Sequence, residues 1–262
     1  MRFLLEHPDG GDLDALARLA SAAHAAGLDG VLVRELVAAS AVAARVDEVL
    51  VAAEVELGVR HPIEVAEEAA VTDLVAGGRL VLVTRPAAGA EARYAEELDV
   101  VRHALAPRPF RFEGTALRVP ANLPQNVHLP EERVRVTPAP AQVRLEVWGA
   151  GAGARGAALD RALGHLADAD DDPAALGEAW RAAETPASIG APRAARAPWD
   201  GAAALVAQLR AGREVFGQDW ACVAAPAEAA GEIGSIVRPR VQIDRLTPGL
   251  EEFWDAERPW EA

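Results

Sequence analysis

Short apolar, strand-like segments alternate with helix-like segments along most of this chain. That order limits the fold more than any other feature, because it calls for parallel strands joined by crossover helices. RFLLEH opens as a strand, and LDALARLASAAHAAG follows as an amphipathic helix with Leu13, Leu16, Leu19 and Ala20 at three- and four-residue spacing and a stop at Gly27. The unit repeats as GVLVRE then LVAASAVAARV, EVLVAAEVELG then HPIEVAEEAAVTDLVAGG, and RLVLVTRP then EARYAEELDVVRHALA.

Residues 107–141 break the rhythm with prolines, asparagines and short β-like pieces, which reads as an insertion before the fifth strand. VRLEVWG, Val143 to Trp148 in its apolar part, resumes the alternation and runs through a glycine-rich loop into a helix. A short strand near LGHLAD, a helix at PAALGEAWRAAE, a weak strand near ASIGAPRA, a helix at AAALVAQLRAG and a strand at DWACVAAP complete the series. Eight strands separated by helices in roughly 250 residues is the count of a (β/α)8 TIM barrel, here a single domain over 1–262. One competing reading stays open. Gly151, Gly153 and Gly156 satisfy G-x-G-x-x-G between a strand and a helix, and Asp168 follows at about the spacing of a ribose-binding acid, as in a Rossmann-type NAD(P) site.

Composition removes several chemistries. There are 40 Asp plus Glu against 26 basic residues, a net charge of −14 that repels nucleic acid and anionic membranes. Every basic residue is Arg, so a Schiff-base lysine and the P-loop lysine are ruled out. His7, His24, His61, His103, His128 and His165 include no pair at four-residue spacing, and no metal site is expected. Ser188 and Ser235 lie outside any G-x-S-x-G, and Cys222 sits inside the apolar WACVAA as an expected buried, inert thiol. One cysteine, no signal-like start and no membrane-length apolar run point to a cytoplasmic protein.

The stretch RHPIEVAEEAAVTDLVAGGRLVLV, Arg60 to Val83, resembles the third helix and fourth strand of the luciferase-like flavin oxidoreductases. The resemblance continues through EELDVVRHAL and FRFEGTALRV into VWGAGAGA and covers about residues 1–165; beyond them only the order of elements agrees. It implies a barrel that binds FMN or F420 at the C-terminal ends of its strands, commonly in a homodimer or in a heterodimer with a related barrel. The implied activity is a flavin- or F420-dependent oxidoreductase or monooxygenase acting on a small organic substrate. The alternative is a non-catalytic luciferase-like barrel serving as a flavin-binding or structural partner subunit.

On that resemblance, Gly149, Gly151 and Gly153 lie in the turn after barrel strand five, where backbone N–H groups would face a cofactor phosphate with Arg155 adding charge. A plain glycine-rich turn is the competing reading. Ala53 and Glu54 match a backbone bend at the end of strand three that supports the flavin ring in relatives. Thr84 and Trp148 complete the expected cofactor set, Trp148 being either a wall beside the cofactor or a core aromatic. His7, Arg34, Glu54 and Arg85 are the catalytic candidates at strand ends, with Glu35 and Glu56 beside them. His7 is either a proton donor or a hydrogen-bonded strand-end histidine. Glu54 would disfavour an anionic reduced flavin unless Arg34 or Arg85 neutralises it.

Two departures from the relatives bear on function: VLVRE passes directly into a helix, and VTRPAAGAEARYAEEL lacks the glycines of a mobile lid. Barrel chemistry is built from such βα loops, so an open or shallow catalytic face is expected. The tail at 247–262 carries Phe253, Trp254 and Trp260 and is expected to pack on the barrel or on a second subunit.

Overall fold

A computed structural model describes residues 1–121, 132–185 and 190–243. The tail aromatics, His128 and Ser188 lie outside the described residues, as does part of the insertion. The barrel strands are β1 (Arg2–Glu6), β2 (Gly30–Arg34), β3 (Leu50–Leu57), β4 (Leu80–Pro86), β7 (Glu146–Ala150), β8 (Gly164–Ala167), β9 (Arg193–Pro198) and β10 (Trp220–Ala224). All pair in parallel and close in the order β1-β10-β9-β8-β7-β4-β3-β2. This is a (β/α)8 barrel, and the dinucleotide reading falls with it, because the glycine motif opens the fifth unit of a closed cylinder rather than the first unit of an open sheet.

The crossover helices are α1 (Leu13–Ala25), α2 (Leu36–Ala43), α3 (Pro62–Val75), α4 (Glu91–Leu105), α5 (Ala152–Asp160), α6 (Pro173–Ala182) and α7 (Ala202–Phe216). Their starts are written locally. Asp12 accepts from the Ala15 N–H at 2.7 Å, and Asp172 does the same for Ala174 at 3.0 Å with Pro173 in the first turn. His61 Nδ1 accepts from the Ile63 N–H at 3.2 Å, so this histidine is a helix cap. After β10 a further helical segment spans 227–243, with a π-helical turn at Ile233–Val237.

Between α4 and β7 the insertion forms a hairpin of β5 (Phe112–Glu113) and β6 (Arg118–Val119). Its turn is held by the Glu96 carboxylate on α4, which accepts the N–H groups of Thr115, Ala116 and Leu117 at 2.8, 2.8 and 3.1 Å, while Phe112 and Val119 pack on the core. The seventh barrel strand lies further along than expected. The stretch near ASIGAPRA lies partly outside the described residues, and the strand is RAARAP, β9, paired with β8 and β10. It has no β-branched residue, so pairing with its two neighbours, not propensity, places it.

Alternation along the strands sorts two cores. Outward-facing residues pack under the helices. Inward-facing ones, among them Leu4, Leu32, Val83, Leu166 and Cys222, fill the cylinder over a floor of Trp148 and Trp220, whose rings meet edge-on with centroids 5.0 Å apart. Among the described residues no helix is long and apolar enough to cross a membrane.

Candidate functional site at the barrel mouth

The C-terminal rim has almost no loops. A single residue, Glu35, joins β2 to α2 and a single residue, Gly151, joins β7 to α5; the longest connection on this face is the six residues 7–12. Both one-residue joints need a left-handed backbone, with φ of 72° at Glu35 and 73° at Gly151. A Cβ at Gly151 would also come within 2.7 Å of Asp168 Oδ2, so glycine is required there twice over.

What fills the mouth instead of loops is an ion-pair lattice built from the last inward-facing residue of several strands. Arg196 of β9 spends all three guanidinium nitrogens: Nε donates to Glu6 Oε2 at 3.0 Å, Nη1 to Asp168 Oδ1 at 2.8 Å and Nη2 to Glu54 Oε2 at 2.6 Å. Arg85 of β4 adds Nη2 to Asp168 Oδ1 at 2.9 Å and places Nε 2.7 Å from Glu54 Oε1, close but not aligned as a hydrogen bond. Arg34 stands outside this lattice, 71 % exposed and 3.9 Å from Glu6. The core of the lattice is buried, with the Glu54, Glu6 and Arg196 side chains 8 %, 10 % and 14 % exposed. Burial works against the Arg196 charge, but Glu54 and Glu6 outweigh it and raise its pKa above the ordinary arginine value. Cys222 lies beneath with Sγ 3.7 Å from Glu6 Oε2; burial and the neighbouring carboxylate push its thiol well up, leaving it inert.

Of the candidate catalytic residues, the structure brings Glu54 and Arg85 together and leaves Arg34 at the edge. His7 is half-buried beside the rim, its Nδ1 accepting from the Asp9 N–H at 3.3 Å and its ring packed where a Cβ on Gly11 would sit. Glu56 is exposed one pair beyond Glu54, opposite Arg85 in the β3–β4 register. Glu54 is indeed neutralised, by Arg85 as the sequence allows and by Arg196, which sequence reasoning missed along with Glu6 and Asp168.

The expected cofactor residues are less well placed. Strand β3 carries no bend at Ala53 and Glu54; it pairs with β4 without interruption from Val51 to Leu57, and Ala53 points outward under the helices, fully buried. Thr84 also faces outward, hydrogen-bonded to Tyr94 at 2.8 Å and to the Trp148 carbonyl at 3.0 Å. Burial pushes the Tyr94 phenol up to about 12, so it stays a neutral donor. Trp148 is a core aromatic rather than a cofactor wall: it is fully buried, donates to Glu146 Oε1 at 2.7 Å, and lies where a Cβ on Gly164 would meet it at 2.4 Å.

Gly149 faces α5, where a Cβ would sit 2.8 Å from that of Ala158, and Gly153 packs similarly against Pro86. Arg155 is spent on Asp171 and does not point free charge at a phosphate. The loop is further tied down by His165, which burial holds below the usual histidine range and whose neutral ring donates Nε2–H to the Gly151 carbonyl at 3.0 Å. The N-terminus of α5 itself has no side-chain cap, and Ala152 and Gly153 are exposed there.

These residues do not fit a flavin ring seated in the mouth. A tricyclic ring would have to displace Arg196 from three carboxylates, and removing one partner from a buried ion cluster costs several kcal/mol, about 3–5. It would gain neither a supporting bend at β3 nor a covering loop in return. Among the described residues, no group of three His, Cys, Asp or Glu is placed to hold a metal ion.

No protein-family model and no curated protein matches this sequence. Solved structures do match its fold. The monooxygenase RslO1 from Streptomyces bottropensis superposes with a TM-score of 0.70 at 17 % identity, over 92 % of this chain and 99 % of that one. The oxygenating constituent of 3,6-diketocamphane monooxygenase from the CAM plasmid of Pseudomonas putida, a type II Baeyer-Villiger monooxygenase in complex with FMN, gives 0.67 at 15 % identity over 92 % and 98 %. The coenzyme F420 dependent tetrahydromethanopterin reductase from Methanopyrus kandleri gives 0.68 at 14 % identity over 92 % and 99 %. The chain therefore has the luciferase-like barrel fold, the fold its sequence resembles, along almost its full length.

Proposed function

We propose that this chain is a subunit of a flavin- or F420-dependent oxidoreductase in which it does not itself carry the cofactor: a luciferase-like barrel with its mouth closed by ion pairs, working beside a related, cofactor-bearing barrel. The observation that carries the reading is the saturation of Arg196 by Glu6, Glu54 and Asp168 at the point where relatives of this resemblance seat their flavin. Each carboxylate there is already an acceptor and Arg196 is already a threefold donor. The cluster can polarise a substrate only by first breaking an ion pair in a low-dielectric setting. Fold-level likeness supports the oxidoreductase context, and the site supports the division of labour within it.

A cofactor titration of the purified chain tests this. The expected result is that FMN absorbance and F420 fluorescence stay unperturbed at micromolar protein. Two observations favour a second reading, that of a self-sufficient flavin- or F420-dependent oxidoreductase acting on a small organic substrate: the uncapped, exposed start of α5, and the exposed guanidinium of Arg34 across the same rim. Micromolar binding of either cofactor, with reduction by NAD(P)H and oxygen uptake, would put that reading in place of the first.

A further inference from the structure

One roomy cavity is at the wrong end of the barrel for chemistry of its relatives' kind. A cavity of about 760 Å³ opens at the N-terminal ends of β7, β8 and β9, under the last turn of α4. That volume lies within the usual range for small-molecule sites, roughly 300–1,000 Å³. Its walls are Leu105, Leu145, Leu163, Val147 and Pro192, and its polar groups are unevenly balanced. Asp99 is already clamped by Arg161, Nε to Oδ1 at 2.7 Å and Nη2 to Oδ2 at 2.6 Å, leaving Arg102 only a 3.6 Å approach to the same carboxylate. Glu146, the other acid of the wall, accepts from the Trp148 indole. Arg144, exposed at the cavity edge, makes no hydrogen bond or ion pair among the described residues.

Two guanidiniums, Arg102 and Arg144, thus line the cavity beside two carboxylates that both have partners, and Arg144 has none of its own among the described residues, on a chain whose net charge is −14. Burial lowers the Arg102 pKa, Asp99 opposes that, and Arg161 and Arg144 add to the lowering. The wall between α5 and β8 turns through Ala162 at φ 53°, a left-handed conformation that alanine seldom adopts, and this brings Leu163 into the lining.

We propose that this cavity is a binding site for a small organic monoanion, a carboxylate with an apolar body, gripped by Arg144 and Arg102 and packed on the leucines. The guanidinium fork suits a carboxylate, and the apolar walls demand more than a bare oxyanion. The proposal is independent of how the opposite, C-terminal face functions.

Anilinonaphthalene sulfonate, an anion on an aromatic body, serves as the probe for titration of the full-length folded protein. Saturable binding at one dye per chain is expected, displaced by sodium benzoate and not by equal concentrations of inorganic phosphate. Arg144→Ala, which removes no bond within the fold, should weaken binding about tenfold, with partial recovery in Arg144→Lys and no change in Arg18→Ala on α1. Near-ultraviolet circular dichroism checks that each variant keeps its packing. The proposal is overturned by dye binding that is unsaturable or unaffected by Arg144→Ala, or by phosphate competing as well as benzoate does.

Discussion

Arg196 is the residue on which the rim depends. Replacing it by methionine keeps much of the volume but leaves buried Glu6 with only Arg34 at 3.9 Å and Glu54 with Arg85 alone, and should cost about 3 kcal/mol, read as a lowered urea midpoint. Adding Glu6→Gln and Glu54→Gln to the same variant should recover most of that loss, since unpaired charge rather than lost packing is the cause. Little of this lattice was legible in the sequence, for identifiable reasons. Glu54 and Arg85 stand out as an acid in need of a base, but Arg196 sits in an Ala-, Arg- and Pro-rich run with no strand signature. Asp168 reads as a ribose-binding acid, and Glu6 is overshadowed by His7 beside it.

At the scale of elements, the turn of hairpin β5–β6 is fastened to α4 by a carboxylate that caps three backbone N–H groups. Slight burial works against the Glu96 charge, but the Ala116, Thr115 and Leu117 N–H groups prevail and lower its pKa. A carboxylate with a lowered folded-state pKa stabilises above its unfolded pKa, and that contribution fades as the pH falls through the folded value. Acidification below the ordinary glutamate range should therefore loosen the hairpin first, seen as movement of the Thr115 and Ala116 amide resonances. Glu96→Gln should speed amide exchange at these residues at neutral pH. Most elements could be read from the sequence because apolar period and caps agree, as in α1 with Asp12 and α3 with His61–Pro62. Strand β9 could not, because its position is decided by partners distant in sequence. The expected bend in β3 came from resemblance alone, and uninterrupted pairing with β4 removes it.

For the whole molecule, the exposed apolar residues bear on assembly. Val71, Leu74 and Val75 form a stripe on α3, each about 45 % exposed, and Val37 on the adjoining α2 is 65 % exposed. The two helices are joined by a hydrogen bond from Ser40 to Thr72 at 2.9 Å, so they would present this surface as one unit. Pairing through this face fits the proposed role as one barrel of two, and in the absence of the cofactor-bearing partner the face is expected to pair with itself. Light scattering at tens of micromolar should give twice the 27.5 kDa chain mass. The double variant Val71→Lys and Leu74→Glu should give the single-chain mass without loss of helicity, whereas a monomeric wild type would show that this face does not pair with itself.

The single-residue joints at Glu35 and Gly151 leave this end of the cylinder without slack. A surface of this kind cannot fold over a guest, yet it is a well-defined place to add something that could. A graft of about fifteen residues between Arg34 and Leu36 would cost on the order of 2 kcal/mol in closure entropy. Paired with dismantling of the ion cluster beneath, such a graft would make this scaffold a blank on which a gated chamber can be written.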